Sequence, residues 1–310
     1  MKVYTSIEEF KDVKNPIVTT GTFDGVHLGH QKIISRIKEL AKQENGETVL
    51  LTFYPHPRMV LFPEDNELKL LNTQLEKREL LEQYGIDHLI IYPFTKEFSR
   101  LTSVEFVRNI LVNRIKTKRL VIGYNHHFGR NREGSFEHLK EYGPLYGFDV
   151  EEIPAKDIEN IEISSTKIRK ALQTGDVKMA STYLGHTYTL SGKVVEGLKL
   201  GRTIGYPTAN IQVQDQYKLI PADGIYAVKL KHANKMYAGM LSIGNNPTVA
   251  GKGRSIEVNI FDFKETIYGD TVTLYFIEKL REEQKFNSLE DLKKQLLKDE
   301  QDSLRIVNTL

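Results

Sequence analysis

The 310-residue chain has no cysteine and no tryptophan. Without cysteine there is no disulfide, no thiolate nucleophile and no Cys-ligated metal. An excess of one charge is also lacking: 43 basic and 41 acidic residues leave a formal net charge of +2. That balance gives no case for a general nucleic-acid or membrane-surface binder. No apolar stretch approaches the roughly 20 residues that span a bilayer. The N-terminus, with Glu8 and Glu9 among its first ten residues, is too acidic and too mixed for a signal peptide. A cytoplasmic location is therefore expected. What is present, 40% hydrophobic and 27% charged residues, is the composition of a globular protein, and the length suits two domains.

The most informative stretch is Gly21-Thr22-Phe23-Asp24-Gly25-Val26-His27-Leu28-Gly29-His30. It follows an apolar run, Pro16 to Thr20, that reads as a buried strand. It precedes an amphipathic segment, Gln31 to Lys42, with Ile33, Ile34, Ile37, Leu40 and Ala41 at helical spacing. Strand, Gly-rich turn, helix is the outline of a nucleotide-phosphate site. Glycines let the backbone approach an anion, and a helix start offers free N–H groups and a positive dipole end. His27 and His30 can both donate to a phosphoryl group that gains charge in its transition state. The competing readings are an accidental His pair at a helix start and a metal pair. For the metal, no second cluster of ligand spacing is present.

The first half alternates strand and helix. Candidate strands are Ile17–Thr20, Thr48–Phe53, His88–Tyr92, Leu120–Gly123 and Phe148–Ile153. Between them lie candidate helices Gln31–Lys42, Gln74–Tyr84, Val104–Arg114 and Phe136–Tyr142, two of them opened by capping boxes, Thr73/Glu76 and Thr102/Glu105. This order predicts an α/β domain with a parallel sheet, which binds ligands at the carboxyl ends of its strands. After about Gly185 short alternating runs take over: Tyr188–Val195, Gly224–Leu230, Tyr237–Ile243, Ile256–Phe261 and Thr271–Phe276. They predict an antiparallel barrel or sandwich, followed by a terminal amphipathic helix that starts near Ser288. The domains are expected to be 1–184 and 185–310.

Four further segments carry polar chemistry. Gly123–Gly134 is a basic, aromatic loop in which Phe128 can stack on a flat ring and Asn125 can read its edge; a plain solvated loop is the alternative. Ser164-Ser165-Thr166-Lys167-Ile168-Arg169 suits a triphosphate at a helix start, or is an ordinary N-cap with wet cations. Gly201-Arg202-Thr203-Ile204-Gly205-Tyr206-Pro207-Thr208-Ala209-Asn210 can close on phosphates, with Thr208 and Asn210 offering oxygens to Mg²⁺, or is a hairpin loop ending in a strand. Glu257 alternates with apolar Ile256 and Val258, so it faces away from them, as a solvated residue or as a base beside a hydroxyl.

Taken together in this order, the segments resemble the bifunctional prokaryotic riboflavin kinase/FAD synthetase family. The resemblance covers nearly the whole chain. It includes Gly21–His30, Thr52–Pro57, Gly123–Gly134 and Ile163–Arg169 in the first half. In the second it includes Gly201–Asn210, Asp223–Tyr226, Gly244–Thr248, Glu257, Tyr268-Gly269 and Leu280–Phe286. It implies a Rossmann-like nucleotidyltransferase domain for FMN adenylylation and a six-stranded antiparallel barrel with a terminal helix for riboflavin phosphorylation. Both reactions would consume ATP with Mg²⁺, giving FMN and then FAD with release of pyrophosphate. Residue by residue, the resemblance implies Glu257 as kinase base, Thr208 and Asn210 as Mg²⁺ ligands, and Gly201, Arg202 and Gly205 over the ATP phosphates. Arg281 and Glu283 would order the flavin side. In the other domain, His27 and His30 would stabilise the α-phosphate, beside Gly21, Phe23, Asp24, Gly29, Ser164, Ser165, Thr166 and Arg169 as nucleotide contacts. Pro55, Pro57, Asn125 and Phe128 would form the FMN pocket.

Three positions depart from the family pattern: His126 replaces an aromatic, Arg130 a lysine, and Asn259 a frequent histidine. Other readings leave more unexplained. A single-domain transferase of the same superfamily has no use for Thr208, Asn210 and Glu257. An oligonucleotide-binding barrel wants a clustered basic stripe with interleaved aromatics. A flavin sensor would bind without consuming ATP. The expected partners are ATP and flavin, not nucleic acid or membrane, and the expected state is a monomer or weak homo-oligomer.

Overall fold

The computed structural model describes residues 1–64, 67–124, 126–154, 163–197, 199–244 and 254–309. They form two compact units, Met1–Ser165 and Thr166–Leu310. The first is a parallel sheet. Its strands are β1 (Lys2–Tyr4), β2 (Pro16–Thr20), β3 (Glu47–Tyr54), β4 (His88–Pro93), β5 (Arg119–Gly123) and β6 (Asp149–Ile153), in the order β1-β4-β3-β2-β5-β6. Its helices are α1 (Leu28–Gln43), α2 (Pro57–Leu61), α3 (Gln74–Gln83), α4 (Ser103–Phe106) and α5 (Phe136–Tyr146). Where the sequence predicts one helix from Val104, α4 passes after one turn into a π-helical stretch, Val107–Val112.

Every residue of β2 is buried, as expected of a parallel strand covered on both faces. Successive residues feed opposite layers. Ile17, Leu50, Leu89 and Val121 pack under Ile33, Ile34, Ile37 and Leu40 of α1. Val18, Leu51, Ile90, Leu120 and Ile122 pack with Phe106, Ile110 and Leu139 on the other face. Both predicted capping boxes are present: Thr73 and Thr102 each accept from the backbone N–H three residues on, and Glu76 and Glu105 accept in return.

The second unit contains α6 (Ser165–Gln173, whose first residue ends the first unit), α7 (Val177–Leu184), β7 (Thr189–Val195), α8 (Leu200–Thr203), β8 (Ala209–Gln212), β9 (Gly224–His232), β10 (Lys235–Gly244), β11 (Ser255–Ile260), β12 (Thr271–Arg281) and α9 (Leu289–Asn308). The strands close into an antiparallel barrel in the order β10-β11-β8-β7-β12-β9. α7 packs on β12, so by packing this helix goes with the barrel, although the sequence boundary falls after it. α9 is capped by Ser288, which accepts from Asp291 N at 3.1 Å, and lies on β9, β10 and β12.

Candidate functional site

Each unit carries its own polar site. In the first, β2 delivers the chain into Gly21, whose N–H bonds Leu51 O at 3.1 Å. The turn that follows is strained: Phe23 (φ 48°), Gly25 (φ 89°) and Val26 (φ 42°) all lie on the left-handed side. A β-branched residue seldom adopts that conformation, so the neighbours must over-determine it. They do. The buried Asp24 carboxylate accepts from Leu71 N at 3.0 Å and from Asn72 N at 3.3 Å. Asp24 O accepts from Ser165 Oγ at 2.9 Å, Thr22 O from Lys77 Nζ at 2.8 Å, and Val26 O from Gln31 Nε2 at 2.8 Å.

The turn presents its two histidines stacked. His27 is the N-cap residue of α1, and His30 lies in its first turn. Their ring centroids are 3.7 Å apart with an interplanar angle of 18°. Phe23 closes on His30 at 4.6 Å. Burial first, then the neighbouring His27 and Lys77, holds the His30 pKa well below the usual imidazole value. His30 is therefore a neutral ring near pH 7, with one N–H donor and one acceptor.

The remaining residues predicted for this site fall in different surroundings. Gly29 is buried in the first turn of α1. Ser164 precedes α6, and Ser165, Thr166 and Arg169 belong to its first turns. Pro55 and Pro57 follow β3, and Pro57 opens α2. Phe128 is a core residue, 8% exposed, with its ring 5.6 Å from Phe106. Gly134 leaves it room: a Cβ there would sit 2.6 Å from the Phe128 ring. His126 stacks on Phe128 at 6.1 Å, and burial, with His127 and Arg132, lowers its pKa to about 4. Arg130 pairs with Glu133 at 3.2 Å. Asn125 lies outside the described residues. A cavity of about 430 Å³ opens beside Thr5, Glu8, Tyr92 and Phe98, and none of the predicted residues lines it.

In the barrel unit, the short α8 turn closes on itself. Tyr206 N bonds Gly201 O at 2.8 Å, and Gly205 (φ 92°) takes a conformation that suits glycine. The chain then enters β8, which pairs with β11 so that Asn210 stands opposite Glu257. Thr208 Oγ1 donates to Glu257 Oε2 at 3.1 Å. The Asn210 side chain lies against Gly197, and its Oδ1 is buried with no hydrogen-bond partner among the described residues. Glu257 and Asn259 share one face of β11, and Asn259 Nδ2 donates to Pro207 O at 2.6 Å. Arg202 and Thr208 line a cleft walled by Val194, Val258, Ile260 and Phe263. Arg281 makes a two-pronged ion pair with the buried Asp299 of α9, at 3.0 and 2.6 Å. Glu283 lies on Gly244, where any side chain would collide with its carboxylate. Residues 245–248 of the predicted Gly244–Thr248 motif lie outside the described residues.

Lys77 and Asp299 are structural participants that motif reading does not single out, while Asn259, noted there only as a departure from the family pattern, bonds Pro207 O. Only Lys77 left a readable trace. It stands four residues before Leu81 on α3, and so on the stripe that a core-facing helix buries.

A parallel α/β unit with a His-x-x-His turn and a closed barrel that sets a carboxylate beside a hydroxyl have the architecture of a two-module, ATP-using transferase. Comparison with known proteins agrees. The FAD synthetase family model matches residues 9–167 and the riboflavin kinase model residues 184–307. A bifunctional riboflavin kinase/FMN adenylyltransferase of Listeria monocytogenes is 40% identical over 297 residues, covering 96% of this chain and 93% of that protein. Its Escherichia coli K12 counterpart is 36% identical, covering 92% and 90%. A crystal structure from Streptococcus pneumoniae, described as a macrolide-efflux protein, superposes with a TM-score of 0.88 at 34% identity, covering 97% of this chain and 98% of that one. Among the described residues of the present chain, no helix is long and apolar enough to cross a membrane. The chain belongs to the bifunctional riboflavin kinase/FMN adenylyltransferase family.

Proposed function

We propose that the chain makes FMN at the Glu257 site and FAD at the His27/His30 site. The observation that carries this reading is the Glu257–Thr208 contact across the β8/β11 pair, which holds a carboxylate beside the end of a phosphate-type loop.

In the kinase step, the ribityl 5′-hydroxyl of riboflavin attacks the γ-phosphorus of ATP. Its proton passes to Glu257, and the bond to the ADP oxygen breaks. The Gly201–Gly205 turn, with Arg202, covers the phosphates. The cleft of Val194, Val258, Ile260 and Phe263 suits the apolar faces of a base. Thr208 and Asn210 would hold Mg²⁺: both offer neutral oxygens, and the unpartnered, buried Asn210 Oδ1 fits a hard cation. When bound, the ion would draw charge from the phosphates. Arg281 and Glu283 would border the flavin, with Asp299 fixing the Arg281 guanidinium.

In the second step, a phosphate oxygen of FMN attacks the α-phosphorus of a second ATP, and the bond to pyrophosphate breaks. His30, neutral and half-buried, donates to the α-phosphate as its charge rises, with His27 stacked beside it. Gly21, Phe23, Asp24 and Gly29 shape the turn. Ser164, Ser165, Thr166 and Arg169 serve the triphosphate, and Pro55, Pro57, Asn125 and Phe128 the flavin side. Functionally, the modules are read as 1–184 and 185–310. A cytoplasmic protein, monomeric or weakly self-associating and without nucleic-acid or membrane partners, suits small-molecule substrates.

The test is incubation with riboflavin, ATP and Mg²⁺ and separation of the flavins over time. FMN that rises and then gives way to FAD is the expected result. Flavin that stays bound but unconverted would overturn the reading in favour of a sensor.

A further inference from the structure

Lys77 has an unusual position for a lysine. It is 4% exposed, on the second turn of a helix whose first turn is fixed by the Thr73/Glu76 capping box. Burying an ammonium is costly unless it is well paired. Here Nζ has a single hydrogen-bond partner among the described residues, the carbonyl oxygen of Thr22 at 2.8 Å. A methionine would fill the same volume without the desolvation cost, so stability alone does not account for the charge.

The place it bonds is informative. Thr22 immediately precedes the left-handed Phe23, and the strained turn ends at His27. From the same turn Asp24 reaches the other way, to the backbone N–H groups of Leu71 and Asn72 just before α3. The two contacts form a reciprocal clasp: α3 grips the turn through Lys77, and the turn grips the entry to α3 through Asp24. Asp24 and Lys77 also attract one another, which offsets part of the burial penalty on the amine. The positive charge lies close enough to His30 to oppose protonation of its ring.

We propose that Lys77 is a positioning residue for adenylyl transfer: its buried amine, bonded to Thr22 O, locks the turn that sets His27 and His30 against the nucleotide phosphate. This rests on the adenylyl-transfer reading of the turn. Loosening the clasp would let Phe23 and Val26 relax toward ordinary φ and move the histidines, and displacements of about 1 Å at such a site cost about 100-fold in rate.

The experiment compares wild type, Lys77→Met and Lys77→Arg in three measurements: FAD formation from supplied FMN and ATP, FMN formation from riboflavin, and thermal melting. The methionine variant is expected to lose at least about tenfold in kcat for FAD formation. FMN formation should be unchanged and melting should shift by less than about 3 °C. The arginine variant, which keeps a cationic donor for Thr22 O, should recover part of the loss. FAD formation within twofold of wild type in the methionine variant overturns the proposal. So does a loss in both variants that simply follows a fall in melting temperature, because Lys77 would then be a stability residue only. Absence of FAD formation in wild type would instead overturn the adenylyl-transfer reading itself.

Discussion

The carboxylate of Glu257 meets Thr208, and the ring of His30 stacks between Phe23 and His27, so substitutions at the two test separate sites. Glu257→Gln keeps shape and hydrogen bonding to Thr208 but removes the base. FMN formation should fall by about 10²–10⁴, the usual worth of a positioned base, while conversion of supplied FMN to FAD continues; a rate assay on each substrate separates the two. Conversely, His30→Ala should cut FAD formation by about 10²–10³, as when one oxyanion donor is lost, with FMN accumulating in the same chromatogram. The family resemblance named Glu257, Thr208, Asn210, His27 and His30 as candidates, and the structure sets Glu257 beside Thr208 and opposite Asn210, and His27 against His30. The contacts of Lys77 and Asn259 were not legible, because their partners are the carbonyls of Thr22 and Pro207. Backbone oxygens have no signature in sequence. Phe128 shows the same limit from the other side: an aromatic in a polar loop reads as a ring-stacking surface, and its packing on Phe106 leaves no trace in the sequence.

Among the elements, α3 joins local capping to the site. Thr73→Ala breaks the capping box and should cost about 1 kcal/mol, read as a lower urea midpoint at unchanged slope. Because Lys77 starts from the next turn, FAD formation should weaken with it, while FMN formation does not. Gly134→Ala tests the loop at β5: its methyl group would meet the Phe128 ring at 2.6 Å, and overpacking of that kind costs about 1–3 kcal/mol. Long, apolar or capped elements could be read from sequence alone, among them α1, α3, β3, β9 and the parallel sheet that β–α alternation implies; the strand order could not. The short ones could not. β1 has three residues, too few for a pattern, and β8 has four, whose alternation of Ala209 and Ile211 with Asn210 and Gln212 is too short to stand out beside the loop that precedes it. Closure of the barrel needs β8 as a bridge between β7 and β11, so tertiary pairing decides what local pattern leaves open.

At the level of the whole molecule, acid should act on the first unit through its histidines. His126 and His30 have folded pKa values below the unfolded imidazole value, so the unfolded chain binds more protons as pH falls. The His126 contribution is complete above about pH 6.5 and is lost as pH falls toward about 4, and His30 acts in the same direction. Urea midpoints measured from pH 7 to pH 4.5 should fall, and His126→Phe should flatten that slope. A final consequence follows from how the strands end. Among the described residues, the closed barrel offers no open strand edge for another chain to pair with. The open sheet has two, and both are poor templates. β1 is three residues long, and β6 carries Asp149, Glu151 and Glu152 within five. Another chain adding to β6 would bring its own strand against that row of carboxylates. Concentrated solutions of the folded chain should therefore resist growth of intermolecular β-structure, with no covering helix or partner needed at the sheet margins.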